Sequence, residues 1–142
     1  MRYKFALSPS IKATVEWQLQ YYREDKRNLE QYKAALIPSA TPAYSLEQSG
    51  SNEAHRTTED IAMKLIASPY IRRLEMSCEA IRRALDGCDS IDLQLIELVY
   101  WRREYTVEGA SMAINIGKSS AYQRINKILG RIAYELGYVS CL

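Results

Sequence analysis

From Lys118 to Gly137 the apolar residues Ala121, Ile125, Ile128, Leu129, Ile132 and Leu136 recur at steps of three and four. Such spacing gathers side chains on one side of a helix, whereas a strand, whose side chains alternate, would scatter them over both faces. The same period runs through the rest of the chain. Ser8-Pro9 is a helix start, with serine as N-cap and proline at the first helical position. Ile11, Val15, Leu19, Tyr22, Leu29, Tyr32 and Leu36 then form a stripe, with Arg23 to Arg27 on the other faces, which predicts a long amphipathic helix over 8–36. Gln18 and Lys26 flank that stripe, favouring packing within the fold or in a dimer over an autonomous coiled coil. The predicted fold class is all-α, with no strand.

Between Pro38 and His55 the composition turns to Ser, Pro, Gly, Ala and Thr without helical spacing, the pattern of a linker or loop over 38–56. Thr57 or Thr58 caps a helix predicted over 57–67, with Ile61, Leu65 and Ile66 apolar. Ser68-Pro69 breaks it, because proline removes a backbone donor and disfavours a helical residue before it. A second central helix over 69–86 carries Ile71, Leu74, Cys78, Ile81, Ala84 and Leu85 and ends at Gly87. The expected organisation is a long N-terminal helix (1–37), a linker (38–56), central helices (57–88) and a C-terminal domain (89–142).

The last third is the most informative. Asp89 or Ser90 caps a helix over 90–104 with Ile91, Leu95, Leu98, Val99 and Trp101 as its bulky face. Thr106 caps a very short helix containing Val107, Ala110, Met112 and Ala113, and Asn115-Ile116-Gly117 forms a turn into the helix over 118–137. Small Ala110 and Ala113 let two helices meet closely, with Ile116 as an apolar plug; the pattern is that of a helix-turn-helix. The outward positions of the last helix, Ser119, Ser120, Gln123 and Asn126, are of the kinds that read base edges. Around them Arg102, Arg103, Thr106, Lys118, Tyr122, Arg124, Lys127 and Arg131 are of the kinds that meet phosphates. Within 101–131 six basic residues face only Glu104 and Glu108, a local charge of +4 in a chain whose formal charge is +2. The alternative is a helical bundle whose polar face happens to be basic.

Absences narrow the function further. Three cysteines without a C-x-x-C spacing, and no secretion signal, point to a reducing cytoplasm. No apolar run approaches the roughly 18 residues of a membrane span, so no membrane partner is expected. There is no glycine-rich phosphate loop, and the single histidine, His55, sits in a polar stretch suited to a solvated loop. No cofactor, metal or catalysis is expected: Glu97, Glu104, Glu108 and Glu135 are spaced as solvated helix residues, and the serines have no histidine partner.

The chain resembles the C-terminal helix-turn-helix of sigma-factor region 4 and, over most of its length, the RinA family of bacteriophage transcriptional regulators. The resemblance rests on order and spacing: a charged N-terminal helix, a Ser/Pro/Gly-rich break, Thr58-Glu59 with Ala62, and an arginine-rich central helix. It continues in Ile96-Glu97-Leu98-Val99-Tyr100-Trp101, a Thr106 to Ser111 segment with Ala110, the pair Ala121-Tyr122, and Ile132-Ala133-Tyr134-Glu135-Leu136-Gly137. Gly117, where a serine N-cap is usual, and Gly109 inside the short helix are departures. The resemblance implies a phage late-gene activator acting on double-stranded DNA in the bacterial cytoplasm, and leaves open whether RNA polymerase is touched. One recognition helix covers few base pairs, so a homodimer is expected, with Val15, Leu19, Tyr22, Leu29 and Leu36 as the first surface for it and the central helices as the alternative. Two other classes remain: a small terminase-like packaging protein, and a helical protein-interaction adaptor that binds no DNA.

Overall fold

The computed structural model describes residues 7–36, 60, 63 and 68–140. Among them are six α-helices, one π-helical turn and no strand. The helices are α1 (Pro9–Gln20), α2 (Tyr22–Leu36), α3 (Pro69–Asp86), α4 (Ser90–Ile96), α5 (Val107–Ala113) and α6 (Lys118–Glu135), with the π turn at Glu97–Trp101 directly after α4. The linker expected over 38–56, with His55, lies outside the described residues, as does the helix expected over 57–67 except for Asp60 and Met63, which are helical.

The chain divides into two compact units, Met1–Arg23 with Met76–Leu142, and Glu24–Glu75. The first helix therefore groups with the C-terminal helices, and the edges of the units fall inside α2 and α3. In the smaller unit Leu29 of α2 and Ile71 and Leu74 of α3 are buried, and Tyr32 meets Tyr70 edge to face at 5.9 Å. In the larger unit α1 and α4 both pack on α6, and α5 packs on the start of α6. Its core holds Val15 and Leu19 from α1, Leu95 and Ile96 from α4, and Ala121, Ile125, Ile128, Leu129 and Ile132 from α6.

Local chemistry explains the helix ends. Ser8 accepts the Ile11 N–H on its Oγ at 3.3 Å, and Asp89 and Asp92 form a reciprocal capping box at the start of α4. Thr106 caps α5 by accepting from Gly109 N–H at 3.1 Å. At the end of α5, Ile116 N–H bonds to Ser111 O and Asn115 N–H to Met112 O, with Asn115 left-handed at φ 59°. This is a Schellman motif, closed by a residue whose short polar side chain tolerates that conformation. α6 ends the same way, with Gly137 at φ 80° and Tyr138 N–H on Ala133 O.

Two helices differ from the sequence reading. The helix expected over 8–36 is interrupted at Tyr21 (φ −95°, ψ 5°), although no proline or glycine stands there. Tertiary contacts hold the joint: Tyr22 stacks on Trp101 with ring centroids 6.3 Å apart, the Arg103 guanidinium lies 5.0 Å over the Tyr21 ring, and Arg23 bonds to Glu97. The helix expected over 90–104 ends earlier. Arg102 N–H reaches back five residues to Glu97 O at 2.8 Å, and Arg103 turns left-handed at φ 57°. Ile96 and Tyr100 are buried here, while Leu98 and Val99, expected on the core face, are only half-buried. Of the stripe expected to offer a dimer surface, Val15, Leu19, Tyr22 and Leu29 are buried within the chain, and the Leu36 side chain lies outside the described residues.

The two glycines at the ends of α6 should respond oppositely to substitution. Gly117 is the N-cap, with an ordinary φ of −66°, no side-chain cap and open space where a Cβ would stand. Gly117→Ser should raise stability by about 0.5 to 1 kcal/mol, from the new cap and a less flexible unfolded chain. Gly137→Ala should lower it by about 1 kcal/mol, because an L-residue is strained at that φ. Denaturant melts of the two variants check both signs.

Candidate functional site

The short helix α5, the turn Ile114 to Gly117 and the long helix α6 form the candidate site; the turn is four residues rather than the three expected. Ala110 and Ala121 are both fully buried where α5 meets α6, which allows close approach of the two backbones, whereas Ala113, expected at this contact, is exposed at the end of α5. Ser111, also buried, returns its hydroxyl to Glu108 O at 2.6 Å. Ile116 in the turn is half-buried.

Opposite its core stripe, α6 presents Ser119, Ser120, Gln123, Asn126 and Lys127, all exposed. At about 100° per residue these five fall within an arc of roughly 120°, and from Ser119 to Asn126 they run about 10 Å along the axis. The four side chains expected to read bases are thus together on one open face.

The residues expected to meet phosphates are placed very differently from one another. Lys127 is exposed, and it has no carboxylate within ion-pair distance among the described residues. Arg103 lies over Tyr21, and Thr106 is occupied as the cap of α5. Arg102 pairs with Glu97 at 3.4 Å, and Arg131 with Glu135 at 3.3 Å. Lys118 Nζ lies 2.9 Å from Glu108 Oε1, the same oxygen that accepts from the Tyr122 hydroxyl at 3.3 Å. Each partner moves the other: Lys118 holds the Glu108 carboxyl below its usual range, and Glu108 raises the Lys118 ammonium.

Arg124 is the most committed of them. Its Nη1 donates to Asp89 Oδ1 at 3.1 Å, Asp89 Oδ2 at 2.8 Å and Asp92 Oδ1 at 2.9 Å. It therefore ties the middle of α6 to the capped start of α4. The periodicity contains this signal: three residues after Ala121 and one before Ile125, position 124 borders the buried stripe, and its side chain is only 31% exposed. The Asp89 carboxyl is held below its ordinary value chiefly by the hydrogen bond from Arg124, and next by the Asp92 backbone N–H. A depressed carboxylate pKa contributes stability that is complete above the unfolded value of about 3.9 and is lost as pH falls through the folded one. The melting temperature should accordingly be flat from neutral pH to about 5 and drop below about 4. Asp89→Asn should melt lower at neutral pH and show a smaller acid drop, which pH-dependent thermal melts would register.

The partners Asp89, Asp92, Glu97 and Glu135 all lie outside the window over which the sequence shows a local excess of base. Over 89–140 there are six basic and six acidic residues, so the C-terminal segment as folded carries no net charge. No helix among the described residues is long and apolar enough to cross a membrane, and no group of three or more potential metal ligands occurs among them. Cys88 is half-buried and its thiol is pushed up to about 11, mainly by burial, so it stays protonated at neutral pH. Comparison with family models, with curated proteins and with solved structures returns no match.

Proposed function

We propose that the chain is a sequence-specific binder of double-stranded DNA that regulates transcription, with α5, its turn and α6 serving as a helix-turn-helix similar to sigma-factor region 4. The observation that carries this reading is the open face of α6. Ser119, Ser120, Gln123 and Asn126 offer hydrogen-bonding groups to base edges, beside the exposed Lys127, on the side of the helix opposite its core. The finer assignment, a phage late-gene activator, rests on the resemblance to the RinA regulators alone. A face about 10 Å long reaches only about three base pairs, which favours a homodimer. Light scattering of the free and the DNA-bound protein tests that state, a monomer in both ruling it out.

The absence of net charge over 89–140 constrains how such binding must behave. Affinity for random duplex should be weak and only modestly salt-dependent, with a slope of log affinity against log salt equivalent to a few phosphates at about 0.9 each. Fluorescence anisotropy with a random-sequence duplex at several salt concentrations measures this. A cooperatively folded protein that binds no duplex at the lowest salt would instead support the interaction-adaptor reading.

A further inference from the structure

Lys118, at the near end of α6, is not a free cation. Glu108, in the first turn of α5, places Oε1 between the Lys118 ammonium at 2.9 Å and the Tyr122 hydroxyl at 3.3 Å. An ammonium and a phenol converging on one anionic oxygen are the donor set that a DNA backbone phosphate would take. All three groups are on the surface: the Lys118 and Glu108 side chains are 62% and 52% exposed. Tyr122 is 39% exposed. Lys118 and Tyr122 flank the open face of α6 on the side of α5, next to Ser119 and Gln123 in sequence.

We infer that Glu108 is an internal competitor for phosphate at the Lys118 and Tyr122 pair, and that it lowers the affinity of α6 for any duplex whatever its sequence. The inference rests on the proposed DNA-binding function and adds a specificity-determining residue to it. With Lys118 neutralised inside the chain, electrostatic attraction alone holds DNA poorly, and contacts to base edges decide which duplexes stay bound. An exposed pair of this kind has modest strength, so DNA can displace it. The α5 cap belongs to Thr106, which already holds the Gly109 N–H, so the Glu108 charge can be removed without unmaking α5.

The test uses the full chain and a random-sequence duplex, read by anisotropy over a range of salt. Glu108→Gln should bind about two- to five-fold more tightly at low salt, the range of an exposed ion pair. Its salt slope should steepen by up to about 0.9, one additional phosphate neutralised. Adding Lys118→Ala to Glu108→Gln should erase the gain, and Lys118→Ala alone should weaken binding, because it leaves the Glu108 carboxylate uncompensated beside the DNA backbone. Glu104→Gln, which removes an exposed charge just outside the α5–α6 pair, controls for net charge and should give a smaller gain. No gain from Glu108→Gln, a gain that survives Lys118→Ala, or an equal gain from Glu104→Gln overturns the inference while leaving DNA binding intact. Absence of binding by the wild-type chain, seen before any variant is made, removes the proposed function and the inference with it.

Discussion

Trp101→Ala should destabilise the larger unit by about 3 kcal/mol, toward the lower end of the range for truncating a packed tryptophan because the ring is half-buried. Three contacts disappear together. The indole Nε1 donates to Leu19 O at 3.0 Å, the ring stacks on Tyr22, and the Arg23 guanidinium sits 4.0 Å from the ring centroid. All three join the last turn of the π-widened segment to the interruption between α1 and α2, so the loss should fall on that joint. Trp101→Phe keeps a ring for Tyr22 and Arg23 and loses the indole donor, and should cost only about 1 kcal/mol. Chemical denaturation of both variants, with the tyrosine signal followed in place of the lost tryptophan, gives the comparison. Equal losses in the two would mean that the hydrogen bond, and not the ring, holds the joint.

What the sequence discloses, and what it conceals, follows from which interactions are local. The helix predicted over 69–86 and the start predicted at 118 coincide with α3 and α6, because Pro69, Gly87, Gly117 and the apolar period act within a few residues of one another. The caps Ser8 and Thr106 are legible for the same reason. The interruption at Tyr21 is not, since it depends on Trp101 and Arg103, some eighty positions away. Nor is the π turn, which leaves no distinctive residue at Glu97–Trp101 and reveals itself by burying Tyr100, whose hydroxyl donates to Glu16 at 3.0 Å. The candidate site divides along the same line. The open face of α6 can be read from periodicity, whereas the pairing of Lys118 with Glu108 and of Arg124 with Asp89 and Asp92 joins separate helices. Counting charge along a window of sequence therefore overstates how basic the folded surface is.

The second large effect separates a base reader from a phosphate anchor. Gln123→Ala should cost about 1 to 3 kcal/mol on the preferred DNA sequence and little on random duplex, because a glutamine that pairs with an adenine edge contributes only where that adenine is present. Lys127→Ala should weaken both alike and reduce the salt slope by about 0.9. Both side chains are exposed, so neither substitution should shift the melting temperature appreciably. Arg124→Ala should behave differently from Lys127→Ala. It loses the bonds to Asp89 and Asp92, and its main effect should appear in the thermal melt rather than in the salt slope. The preferred sequence can be obtained by repeated selection of bound duplexes from a randomised pool, and affinities then compared across the three variants.

The central claim, that duplex DNA is held on the outer face of α6, is tested most directly by mapping backbone amide shifts of the isotope-labelled chain as duplex is added. The largest changes should fall on Ser119 to Lys127 and on the turn from Ile114 to Gly117, with α1 and the buried side of α6 little affected. Changes centred instead on α1 or α3, or none along Ser119 to Lys127 while the DNA is demonstrably bound, would contradict it.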